Sequence, residues 1–143
     1  MNKRWINWIG VGVLFLGFYI FTASPISNND HTMMFINRFS FLSALDLDLL
    51  GKIIRKTAHL LSFGVLALTI RNALHPHRWA YPGAWLLATL YGASDEIHQM
   101  FVPGRTPLFS DVMIDSLGAF LTLYVLYFLK MRKENRFNIP GSQ

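Results

Sequence analysis

Between Tyr91 and Gly118 the chain places Asp95, Glu96, His98, Gln99, Arg105, Asp111 and Asp115 around a short turn that joins two strongly apolar segments. Ionisable side chains are costly in an apolar setting unless they are paired or hydrogen-bonded, so this stretch demands a fold in which the groups meet one another. Pro103-Gly104 supplies the turn, because proline cannot continue the preceding helix and glycine accepts backbone angles that other residues resist. The two flanking segments are thereby returned to the same level, with their polar ends together.

Those flanks belong to a chain of 143 residues that is 52% hydrophobic and only 15% charged, too apolar for an ordinary small soluble domain. Four apolar stretches follow in order. Trp5 to Ala23 is uncharged and long enough to cross a hydrocarbon core of roughly 30 Å. It reads as a retained anchor rather than a signal peptide, whose apolar region is shorter and whose cleavage site needs small residues that Phe21-Thr22-Ala23 does not supply. Lys56 to Leu74, uncharged from Ala58 to Ile70 except for His59, then Ala80 to Ser94, and Val112 to Leu129, broken only by Asp115, are the other three. Between the first two, Ser24 to Arg55 is a mixed connection in which Phe35, Phe39, Leu42, Leu45 and Leu49 recur at helical spacing. That stripe predicts an amphipathic helix at the membrane surface, with a partly ordered loop as the alternative.

The expected fold class is therefore all-α: one integral membrane domain over residues 1–143, a bundle of four transmembrane helices plus an interfacial amphipathic helix. Lys and Arg set its orientation in the inner (plasma) membrane. With the N-terminus inside, Lys3, Arg4, Arg71, Arg78, Lys130, Arg132, Lys133 and Arg136 are cytoplasmic, while Arg38, Lys52, Arg55, Lys56 and Arg105 lie outside. The majority favours four spans with both termini cytoplasmic. The formal charge of +5 reflects this flanking bias, since the basic residues are dispersed and form no nucleic-acid-sized patch. There is no cysteine, hence no disulfide and no thiol ligand or nucleophile. Gly10, Gly12 and Gly17 do not form a clean small-x-x-x-small pattern, so no oligomeric state is predicted.

This topology gathers His59, Asp95, Glu96, His98, Gln99, Arg105, Asp111 and Asp115 at the outer face. Helical spacing sorts them further. Lys52, Lys56, His59 and Phe63 share one face of the second segment; Tyr91, Asp95 and His98 share one of the third, with Glu96 and Gln99 beside it. Asp111, Asp115, Gly118 and Thr122 share a face of the fourth.

At this point the residues resemble the VanZ-like family of small bacterial membrane proteins. The resemblance rests on Lys56-x-x-His59-x-x-x-Phe63-x-x-Leu66, on Asp95-Glu96-x-His98-Gln99-x-Phe101-x-Pro103-Gly104-Arg105 and on Asp111-x-x-x-Asp115-x-x-Gly118. It covers about residues 52–122. Two positions depart from the pattern: Asp115 stands where the family usually has Asn, and Thr122 where a second Gly is common. The family is named for a protein associated with resistance to teicoplanin, a lipid-bearing glycopeptide. The resemblance thus implies an envelope or lipid-related role.

Three functional readings follow from the cluster, beside a purely structural one in which the carboxylates and Arg105 form a salt-bridge network tying helix ends together. In the first, the protein is an acid–base membrane enzyme acting on an amphiphilic envelope lipid or glycolipid. Asp95, Glu96, His98 and His59 are the candidate catalytic groups, because burial and neighbours can drive their proton affinities apart. Lys56, Gln99, Arg105, Asp111 and Asp115 bind substrate, with Lys56 and Arg105 suited to an anionic head group. In the second, a divalent metal assists: His59, Asp95, Glu96, His98, Asp111 and Asp115 offer hard ligands, but no spacing is diagnostic, so neither metal nor cofactor is expected. In the third, the site only binds or transports membrane lipids or lipoglycopeptides, linked to teicoplanin-type resistance.

Overall fold

The structure is a computed structural model that describes residues 4–23, 47–102 and 107–137. These form α1 (Arg4–Ala23), α2 (Leu47–Leu74), α3 (Ala80–Gln99) and α4 (Phe109–Phe137), and among the described residues there is no strand. The all-α expectation holds. Two of the helices, over Leu49–Leu74 and Phe109–Asn135, are long and apolar enough to cross a membrane, and Trp5–Ile20 is a shorter apolar helix. The amphipathic stripe expected over Phe35 to Leu49 lies outside the described residues except at its end, where Leu49 belongs to the first turns of α2.

α2 starts well before the apolar run at Lys56, and α4 continues well past the one that ends at Leu129. Hydropathy finds the apolar part of a helix, not the helix: Lys52, Arg55 and Lys130 to Glu134 are good helix formers, and charge removes them from hydrocarbon without unwinding them. α3 tolerates Pro82 because it falls in the first turn, where the backbone N–H would have no helical partner. The turn before it is closed by bonds from His77 N to the Leu74 carbonyl (3.0 Å) and from Ala80 N to the His77 carbonyl (3.0 Å).

The helices alternate in direction. At one end Asn7 of α1 donates to the Asn72 carbonyl of α2 (3.3 Å), Arg71 donates to the Tyr81 hydroxyl of α3 (3.3 Å), and Tyr81 meets Tyr127 of α4 edge to face at 5.6 Å between ring centres. At the other end sit Thr22, His59, Asp95 and Asp115. Consequently α2 and α4 run parallel, and theirs is the most extensive contact in the bundle.

Large side chains face outward and small ones inward. Leu61, Val65, Leu86, Leu90, Phe120, Leu121 and Val125 are exposed, whereas Ala80, Ala84, Ala88 and Gly92 form a buried stripe at every fourth residue of α3. Small residues let helix backbones approach closely where hydrocarbon solvates the outside, and half-buried hydroxyls then act across the interface. Thr89 of α3 donates to Ser116 Oγ of α4 (3.0 Å), and the Trp85 indole N–H donates to the same oxygen (3.1 Å). The buried apolar core that remains, with Phe63, Leu66, Ile70 and Leu123 at its centre, separates the two polar ends.

Candidate functional site

The α2–α4 pair is a ladder of matched residues. Lys56 Nζ lies 3.9 Å from Asp111 Oδ1; one turn deeper, His59 Nδ1 lies 3.1 Å from Asp115 Oδ1. Gly118 then lies against the Leu60 backbone and Gly64 against Thr122. The two faces read from spacing, Lys56-His59-Phe63 and Asp111-Asp115-Gly118-Thr122, are thus turned toward each other. Thr122, where the family pattern favours glycine, is accommodated by a glycine across the interface.

Asp115 is 1% exposed. A side chain this deep keeps its polar atoms only with a partner, and His59 Nδ1 is that partner. With Nδ1 turned to the carboxylate, Nε2 is the ring nitrogen left to face a ligand.

α3 contributes the second half of the cluster. Asp95 is 4% exposed and has both carboxylate oxygens engaged: the Thr22 hydroxyl of α1 donates to Oδ1 (2.7 Å), and Gln99 Nε2 donates to Oδ2 (2.9 Å). Glu96, 6% exposed, accepts the Leu108 N–H at 2.8 Å on Oε2, which ties the end of α3 to the residue before α4. Among the described residues its other oxygen, Oε1, is buried without a partner, as is His98 Nδ1. Glu96 lies within electrostatic reach of Asp95, Asp111 and Asp115, and His59 within reach of Asp95 and Asp111 as well as its partner.

The face of α3 that carries Tyr91, Asp95 and His98 packs on α1. Tyr91 stacks on Phe15 at 4.1 Å and donates its hydroxyl to the Phe15 carbonyl (2.6 Å), and His98 stacks on Tyr19 at 4.2 Å. The first helix is therefore part of the site's wall, a role that its reading as an anchor left out. Thr22, Tyr19 and the Leu108 amide are partners of the cluster that sequence reasoning missed. Thr22 was legible in principle, as a hydroxyl near the end of an apolar run at the level of Asp95.

Of the residues expected to converge, the structure joins His59 to Asp115, Lys56 to Asp111 and Asp95 to Gln99, and it holds Glu96 beside them. His98 is turned to α1. Arg105, like Pro103 and Gly104, lies outside the described residues. No three His, Cys, Asp or Glu side chains among the described residues are grouped as ligands of one metal ion.

Along α1 and α2 runs a groove of about 510 Å³, lined by Val13, Leu14, Gly17, Phe18 and Thr22 on one side and Ala58, His59, Ser62 and Phe63 on the other. It is apolar except where Thr22, His59 and Ser62 reach it. A second hollow, of about 230 Å³ between α3 and α4, lies toward the opposite end and is lined by Tyr81, Pro82, Trp85, Phe120, Leu123, Tyr124 and Tyr127.

A comparison with known families matches residues 6–130 to VanZ/LLP1. No curated protein and no solved structure matches the chain.

Proposed function

Since the chain belongs to the VanZ/LLP1 family, we propose that it is a multi-pass membrane protein that binds an amphiphilic envelope lipid or glycolipid at the polar end of its bundle. The observation that carries this reading is the His59–Asp115 pair, whose imidazole lines a groove that is apolar apart from it, Thr22 and Ser62. Fixed polar groups at the head of an apolar cleft are what an amphiphile requires. In this reading all four helices span. α1 and α3 match a core of roughly 30 Å at ~1.5 Å per residue, and the longer α2 and α4 emerge from it. Both termini are cytoplasmic, which puts the cluster at the outer leaflet.

A second reading, acid–base chemistry on the bound head group, is favoured by the unpartnered Glu96 Oε1 near the His59–Asp115 pair. His59, backed by a carboxylate, accepts a proton at Nε2, and Glu96 serves the opposite role. Positioned acid–base groups of this kind contribute about 10²- to 10⁴-fold in rate.

One experiment separates the readings. The full-length protein, purified with co-extracted lipid, is compared with His59→Gln and Glu96→Gln by native mass spectrometry and by analysis of the lipid pool. His59→Gln is expected to lower lipid retention about tenfold, equivalent to ~1.4 kcal/mol. Glu96→Gln is expected to retain lipid and to abolish any changed lipid species. If both variants retain and convert lipid as the parent does, the cluster is not the site. With a lipoglycopeptide as the amphiphile, the same site would support teicoplanin-type resistance, read as a shift in growth inhibition on expression of the parent but not of His59→Gln.

A further inference from the structure

Resting on the reading of the polar end as a lipid site, we propose that the α1–α2 groove receives one hydrocarbon chain of that lipid and that the head group above it is uncharged and hydroxyl-bearing, not anionic.

The groove has the direction a chain needs. Thr22 and His59 mark its polar end, because they join Asp95 and Asp115. From Thr22 back to Val13 the lining descends nine helical positions, ~14 Å along α1 at ~1.5 Å per residue, toward the middle of the bundle. Leu14, Phe18 and Phe63 make its walls apolar, and its volume lies within the range of roughly 300–1,000 Å³ typical of small-molecule sites. Gly17 lies in its lining, and a Cβ there would meet nothing within 4 Å, so the space beside it is open.

The head-group preference follows from hydrogen-bond chemistry. His59 engages Asp115 through Nδ1, which leaves Nε2 for a ligand. Glu96 Oε1 is buried and unpartnered among the described residues. A sugar or glycerol hydroxyl both donates and accepts, so it can pair with each of these atoms whichever of them carries a proton, whereas a phosphate oxygen only accepts. Charge among the described residues points the same way: Asp95, Asp111 and Asp115 lie within electrostatic reach of Glu96, and Lys56 is turned to Asp111. A phosphate placed here would face like charges in a poorly solvated setting.

The test uses the full-length protein in detergent, presented with monoglucosyl-diacylglycerol or with phosphatidylglycerol of the same acyl chains, which also offers hydroxyls, so that the contrast reads the phosphate charge. Native mass spectrometry is expected to show retention of the glucolipid about tenfold over phosphatidylglycerol. Gly17→Leu fills the groove and is expected to cut glucolipid retention by a similar factor with an unchanged melting temperature. A photoreactive group at the chain end, used on the unmodified protein, is expected to label α1 or α2 between Val13 and Phe18 or between Ala58 and Phe63. Labelling confined to other helices overturns the groove assignment whether or not Gly17→Leu folds. If Gly17→Leu retains glucolipid as the parent does while His59→Gln loses it, the groove assignment fails and the polar-end site stands. Equal or stronger retention of phosphatidylglycerol overturns the head-group assignment. If His59→Gln also retains lipid as the parent does, the underlying reading of the site fails with it.

Discussion

Gly118→Ala is expected to destabilise the folded protein by about 3 kcal/mol, at or above the upper end of ordinary overpacking. A Cβ at this position would lie 2.9 Å from both the Leu60 carbonyl carbon and its Cα, and closer still to the carbonyl oxygen. These are backbone atoms of the facing helix, so no side-chain rotation relieves the clash; α2 and α4 must move apart. Separation would also lengthen the His59–Asp115 bond one turn above. Gly64→Ala is the informative contrast. There the added methyl meets Thr122 Oγ1, a side-chain atom, so the loss should be smaller and should be largely restored in Gly64→Ala/Thr122→Ala. Thermal unfolding in detergent, followed by fluorescence-detected size exclusion, reads all three. A Gly118→Ala protein that melts with the parent would mean that α2 and α4 are not in this register.

That register shows what the sequence made legible and what it did not. The faces of α2 and α4 could be read because each carries its polar residues at three- and four-residue spacing, and a buried carboxylate needs a donor of known type. Matching Lys56 with Asp111 and His59 with Asp115 then follows from topology. Spacing could not reveal that Asp95 turns away from Lys56 and His59 to α1. Its partner, Thr22, lies in an uncharged run whose hydropathy reads as anchor, and a hydroxyl that already bonds the Phe18 carbonyl at 2.9 Å gives no signal of a second role. The Leu108 amide, a backbone donor, carries no side-chain signature at all. Helix limits escaped for a similar reason. Charged residues such as Lys52 and Arg55 end an apolar run but continue a helix, so the segment that positions His59 extends well beyond the segment that crosses hydrocarbon.

The division of labour within the cluster follows from which polar atoms are already satisfied. Asp95 has neutral donors on both oxygens, and such a group holds helices in place more readily than it exchanges protons. Among the described residues Glu96 Oε1 and His98 Nδ1 are buried without a partner, and His59 engages Asp115 through Nδ1; of these side chains His59 lines the groove and His98 is stacked on α1. The Asp115 carboxylate orients the imidazole. An asparagine there would still accept from an Nδ1–H through its amide oxygen, so the orienting contact does not depend on the charge.

Asp95→Leu is accordingly expected to cost about 2–4 kcal/mol, mainly through buried donors left without an acceptor. The loss falls unequally. The Thr22 hydroxyl can turn to the Phe18 carbonyl, or to the Tyr19 carbonyl at 3.3 Å, so it keeps a hydrogen bond within its own helix. Gln99, 3% exposed, has no such recourse among the described residues, and its amide N–H₂ bears most of the penalty. Asp95→Asn should be far milder, because the Gln99 amide can flip to offer its oxygen and the Thr22 hydroxyl can donate to the asparagine carbonyl. Since α1 is tied to α3 at this level, the damage should appear first as faster hydrogen exchange in α1, while the α2–α4 pair stays protected. A positioning role further requires that Asp95→Asn retain lipid whereas His59→Gln, with the same fold, does not. If Asp95→Asn instead loses lipid while α1 stays as protected as in the parent, the Asp95 charge itself meets the ligand, and its place is beside His59 and not behind it.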